Sequence, residues 1–198
     1  GEAPPRLAVV TRSEAPGSGL TLSVLAENLR TVIAGKDVCF TRLPLGWNGA
    51  YRHFRHPLDY IGYDGGAGVG SGPGITVGAA LALRGSGRIP IGLHGDGDFL
   101  MGNTAVWTAT HYRIPCLMVV CNNRSFFNDE RHQERIAIQR GRPPENRWIG
   151  QHIGEPDVDI AAMAKSMGAV GIGPVENPEE IGAALTLGVE TVEKGGVC

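Results

Sequence analysis

The residues of this chain best placed to do chemistry are few and oxygen-bearing. Asp96 stands between Gly95 and Gly97, and Asn122-Asn123 follow one helix and one strand later. A carboxylate and an amide oxygen brought together are hard ligands in small number, a set that suits Mg²⁺ when phosphate oxygens and water complete its octahedron. Glycine on both sides of the carboxylate lets main-chain N–H groups approach a phosphate without a side-chain clash. Taken separately, Gly-Asp-Gly is an ordinary tight turn and Asn-Asn an ordinary helix cap. Their pairing, one β-α unit apart, points to a shared cation and phosphate. A rival use of the same acids, Asp96 with Asp98, is a Mg²⁺-dependent phosphohydrolase, which leaves the preceding glycine-rich stretch without a role.

These loops need a frame, and the hydrophobic pattern supplies one. Over 21–34, Leu22, Leu25, Leu29, Val32 and Ile33 recur at helical spacing, and Gly35 provides the stop. Short apolar runs predict strands at 38–40, 89–93, 116–121 and 169–172. Helices are predicted over 76–83, 103–112, 128–139, 160–167 and 179–193, the last opening near Pro178. Such alternation implies an α/β fold, a parallel sheet with helices on both faces. Ligands then sit at the carboxyl ends of the strands, and a right-handed crossover brings the Asp96 and Asn123 loops to one sheet edge. The glycine-dense stretch 62–78 costs backbone entropy, so close approach of backbone to something bulky is the expected reason for it. Residues 1–20 read as a linker or tail and 21–198 as the domain. Another strand is expected to begin at Gly196-Val197-Cys198, so the domain reads as truncated there.

Composition excludes several functions. Of 198 residues 42% are apolar, ordinary for one buried domain, and the formal charge of -2 argues against nucleic acid or anionic membrane as partner. No apolar run approaches the roughly 18 residues of a membrane span, and no secretory leader is visible, so a cytoplasmic location is expected. Cys39, Cys116, Cys121 and Cys198 form no Cys-x-x-Cys pair. A structural zinc site is therefore not expected, and Cys116 and Cys121 read as small hydrophobes.

The combination Gly95-Asp96-Gly97 with Asn122-Asn123 resembles the signature of thiamine-diphosphate enzymes. The run GDGDFLMGNTAVWTATHYRIPCLMVVCNNRSFFN is similar to the acetolactate synthase and benzoylformate decarboxylase branch, and the likeness extends from about Leu20 onward. It implies the diphosphate-binding domain of a lyase or carboligase for 2-oxo acids, with thiamine diphosphate and Mg²⁺ as cofactors. By this resemblance Asp96, the Asn123 side chain and the Ser125 main-chain carbonyl ligate Mg²⁺. Gly95, Gly97 and Asp98 line the diphosphate, Leu43, Pro44 and Leu45 lie on its other side, and Phe126 and Phe127 lie over the cofactor. The stretch 65–70 borders the cofactor rings, with Ala67 and Gly68 beside Val69, which stands where the family bends the cofactor against a bulky apolar side chain.

Two residues depart from the family pattern: Asp98 replaces a small polar residue, and Val69 is smaller than the usual Leu, Ile or Met. A carboxylate beside diphosphate is repulsive unless it turns away to cap the following helix. No catalytic residue is expected in this chain. The family's proton relay starts from a glutamate on a pyrimidine-binding domain, and no segment here resembles one. That domain, on another chain or an absent part, and a homo- or hetero-oligomer are the expected partners. The alternative is a non-catalytic cofactor-binding subunit of a split enzyme.

Other features have plainer explanations. Arg124, Arg131, Arg135, Arg140, Arg142 and Arg147 could form a lid, but Asp129, Glu130, Glu134 and Glu145 balance them as on a solvated helix face. His94 reads as a satisfied core residue, His111 as structural or interfacial, and Trp47, Trp107 and Trp148 as packing residues.

Overall fold

A computed structural model describes residues 19–62 and 68–198. Helix α1, Leu22–Val32, starts where Thr21 accepts a hydrogen bond from Val24 N at 3.3 Å, and the chain turns out at Gly35, φ +73°. Strands β1 (Val38–Arg42), β2 (Ile89–Gly95) and β3 (Leu117–Cys121) form a parallel sheet in that order. The other α-helices among the described residues are α2 (Gly72–Ala82), α3 (Asp96–Gly102), α4 (Thr104–His111), α5 (Phe127–Gln139), α6 (Ile160–Ser166) and α7 (Ile181–Glu193).

The two-residue period of a strand sends alternate side chains to opposite faces. Ile89, Ile91 and Leu93 of β2 pack with Leu29, Ile33, Leu185 and Val189, placing α1 and α7 on one face. Met118 and Val120 of β3 pack against Val77, Phe99, Val106 and Ala109, placing α2, α3 and α4 on the other. Helices therefore cover both faces, as the alternation of elements implied.

Three expectations are corrected. The stretch 169–172 is not a strand: Val170 N makes one bond to Val197 O at 2.8 Å, and Gly171 lies so close to the Ala161 carbonyl that a Cβ would be 2.1 Å from it. Gly173, φ +127°, and Pro174 then redirect the chain. The adjacent Val197–Cys198 does lie beside β3, with Val197 in a parallel bridge to Cys116 and Cys198 O accepting from Met118 N at 2.8 Å. Second, α2 begins at Gly72 and not at 76, its first turn hidden by Gly-Pro-Gly composition. Third, Trp107 and Trp148 are each 53% exposed and meet the surface rings of His111 and His152, whereas Trp47 packs near Phe40 and Tyr51. Among the described residues no helix is long and apolar enough to cross a membrane.

Beside β1, Asp59 accepts bonds from Arg55 N at 2.8 Å, His56 N at 3.0 Å and Arg88 Nη1 at 2.9 Å. Those bonds, the Arg55 amide first, draw its pKa from 3.8 to about 2. A depressed carboxylate pKa adds stability above the unfolded value, lost as pH falls through the folded one. Asp59→Asn should therefore flatten the melting temperature between pH 4 and 2. An unchanged acid-side slope in a pH series of thermal melts would count against this anchor.

Candidate functional site

Register builds the site. Gly95 pairs with Cys121 across β2 and β3, so Asp96 and Asn122 leave the sheet side by side. Asp96 is 2% exposed, and its Oδ2 accepts from Ser125 N at 3.1 Å. The same N–H is 3.1 Å from Asn123 Oδ1. Carboxylate and amide oxygens thus converge on one amide proton, as the crossover argument requires. Asp96 Oδ1 accepts from Gly97 N at 2.9 Å. The Asn122 side chain accepts from Arg124 N at 3.1 Å, folding a turn whose tip, Arg124, sits at φ +56°. Both asparagines therefore form side-chain turns, and the residue at the N-cap of α5 is Phe126.

The electrostatics of Asp96 are one-sided. Burial pushes its carboxyl pKa up, opposed by backbone N–H groups of Gly97, Ser125 and Arg124. Among the described residues no cationic side chain pairs with it. A buried carboxylate offset only by amide dipoles, next to a neutral oxygen, has the donor chemistry of a hard divalent cation site.

Asp98 points elsewhere. Its Oδ1 accepts from Gly70 N at 2.8 Å and Gly72 N at 3.3 Å, while Oδ2 lies 3.4 Å from His94 Nδ1 and 3.5 Å from Arg42 Nε. The carboxylate is thereby directed at the start of α2, and caps that helix and not the one that follows. These partners, His94 first, hold its pKa down against the opposing effect of burial. His94 is fully buried, with Nε2 3.3 Å from Thr76 Oγ1, itself 2.7 Å from Thr41 Oγ1. It is a satisfied core histidine, as expected, and burial pushes its pKa down. Neither threonine nor Arg42 was singled out in sequence, where a lone Thr or Arg carries no periodic signal. His94 and Asp98, four apart across the strand-to-helix junction, were the readable trace of this cluster.

The remaining candidates divide. Phe126 lies against Gly97, where a Cβ would sit 2.2 Å from its ring. Phe127 is 46% exposed at the start of α5. Leu43 belongs to the α1–α7 core and Leu45 is exposed, with Pro44 between them at the end of β1. Gly68 and the half-exposed Val69 precede α2, while Ala67 lies outside the described residues. Glu130, named in sequence only as a balancing charge, accepts from Ser125 Oγ at 2.8 Å and faces Arg147 Nε at 3.8 Å. Arg147 also meets Glu134, and Arg124 meets Asp157, so this part of the arginine segment is a charge-balanced face. His111 stacks on Trp107 with centroids 4.7 Å apart. Cys116 is buried and Cys121 part-buried, and burial pushes their thiol pKa values up to about 12 and about 11, which fits small hydrophobes.

The family model described as thiamine pyrophosphate enzyme, C-terminal TPP binding domain, matches residues 44–197. A benzoylformate decarboxylase of Pseudomonas aeruginosa is 36% identical over 72 residues, 36% of this chain and 13% of that protein. The benzoylformate decarboxylase structure from Polynucleobacter necessarius superposes with a TM-score of 0.72 at 21% identity, covering 94% of this chain and 33% of that one. The thiamine diphosphate-dependent 4-hydroxybenzoylformate decarboxylase of Rhodococcus jostii RHA1 gives 0.62 at 25% identity, covering 93% and 34%. This chain thus spans about a third of the solved proteins it matches.

Proposed function

This chain belongs to the thiamine pyrophosphate enzymes as a C-terminal TPP-binding domain, and on that premise we propose that it serves a thiamine-diphosphate- and Mg²⁺-dependent lyase or carboligase for 2-oxo acids. The observation that carries the Mg²⁺ assignment is the buried Asp96 carboxylate, without a cationic partner among the described residues and converging with Asn123 Oδ1 on Ser125 N. Asp96, Asn123 Oδ1 and the Ser125 carbonyl would hold the metal. Main-chain amides of Gly97 and Asp98 would hold the diphosphate, beside the Phe126 ring that lies against Gly97. Val69, exposed beside α2, would press on the rings. When bound, the cofactor supplies a carbon nucleophile and electron sink for cleaving or forming a bond beside a carbonyl. This chain's part is to hold, orient and shield.

The names of the relatives favour decarboxylation of an aromatic 2-oxo acid over carboligation. The initiating glutamate is assigned to a pyrimidine-binding domain, in an oligomer placed in the cytoplasm. CO₂ release from benzoylformate should appear when this chain, such a domain, thiamine diphosphate and Mg²⁺ are combined. Tight cofactor binding without turnover of benzoylformate or pyruvate would instead mark a non-catalytic subunit. Phosphate release from a generic ester without thiamine diphosphate would mark a phosphohydrolase.

A further inference from the structure

A residue that departs from the family pattern, Asp98, is heavily engaged at this edge of the sheet. The Asp98 side chain is 11% exposed and makes four polar contacts. Two are charge-assisted bonds from Gly70 N and Gly72 N, and two tether the other oxygen to His94 and Arg42. With both oxygens held, the carboxylate cannot rotate toward the Gly95–Gly97 turn without abandoning buried partners. The backbone opposite is fitted to it. A Cβ at Gly72 would sit 2.0 Å from Asp98 Oδ2, and one at Gly102 would sit 2.4 Å from the Gly70 carbonyl. The segment 68–72 is therefore laid onto α3, and its bulky neighbour is the protein's own side chain.

We propose that Asp98 is a positioning residue that ties the segment carrying Val69 to the Gly95-Asp96-Gly97 turn. It would set the spacing between the ring-binding wall and the metal–diphosphate grip. This rests on the thiamine-diphosphate reading above. A small polar side chain reaches at most one of these amides, so the aspartate makes a stiffer wall. The consequence is specific: the Asp98 side chain acts on ring recognition more than on recognition of the bare diphosphate.

The test compares two Mg²⁺-loaded probes, thiamine diphosphate and inorganic pyrophosphate, by calorimetry on wild type, Asp98→Ala and Asp98→Asn. Asp98→Ala should cost thiamine diphosphate about tenfold more affinity than it costs pyrophosphate, the pattern of a preorganising contact and not of a ligand. Asp98→Asn keeps an acceptor for the two amides and should recover most of the loss. In the ligand-free protein, hydrogen exchange over 68–75 should quicken in Asp98→Ala, with α1 unchanged. Equal losses for both probes would overturn the proposal, as would unchanged affinities. If wild type binds neither probe, the cofactor reading falls. The exchange comparison then decides the tie alone: acceleration confined to 68–75 upholds it, and no change or uniform acceleration refutes it.

Discussion

Replacing Asp96 with alanine should remove Mg²⁺-dependent binding of thiamine diphosphate, weakening it by about 100-fold or more. Metal affinity already falls 10–100-fold when groups that merely orient ligands are lost, and Asp96 is the anionic donor of the proposed set. Asn123→Ala removes a neutral donor and should cost roughly tenfold by the same scale. Calorimetric titration with and without Mg²⁺ on the three proteins checks both. Equal affinity in wild type and Asp96→Ala would end the metal assignment. A second consequence has the opposite sign. Burial raises the folded-state pKa of Asp96, so its stabilising contribution is present at low pH and lost as pH rises through that value. At neutral pH without metal the buried charge is a net cost, and Asp96→Asn should melt higher than wild type in chelator. The same substitution should abolish stabilisation by Mg²⁺ with thiamine diphosphate. A lower melting point for the metal-free variant would show that the backbone bonds to the carboxylate outweigh its desolvation.

Gly72→Ala should be among the most damaging single-methyl additions in this protein. Its Cβ would lie 2.0 Å from Asp98 Oδ2 and 2.6 Å from His94 Nδ1. Both neighbours are buried and bonded, so relief requires breaking their contacts or shifting the start of α2. Overpacking of this kind costs about 1–3 kcal/mol, and a broken buried polar contact adds about 1–3 kcal/mol. A loss of roughly 3 kcal/mol is therefore expected in urea midpoints at constant slope. Gly74, two residues on in the same helix, has nothing within 4 Å of a built Cβ. There alanine should be neutral or stabilising by up to about 1 kcal/mol, from propensity alone. Similar effects at both positions would refute the packing argument.

Much of the fold was legible because it rests on local periodicity. The helical spacing over 21–34 and the apolar runs of β2 and β3 depend only on which side chains must leave water. The strand at 169–172 failed for a non-local reason, since Gly171 packs against Ala161 and does not join a ladder. Helix α3 was missed because a seven-residue element opening with Asp-Gly-Asp carries turn chemistry and too few residues to show a period.

The site divides along the same line. The types and order of Asp96, Asn122 and Asn123 carry the expectation of a hard-cation and phosphate chemistry, because few ligand sets combine one carboxylate, one amide and flanking glycines. Ser125 as the common donor to both oxygens, Phe126 over Gly97, and the turn of Asp98 toward α2 were decided only in three dimensions. Ligand type is a property of single side chains and survives in a linear string. Direction depends on which distant backbone groups offer a bond, and here the amides of Gly70 and Gly72 fix where the Asp98 carboxylate points.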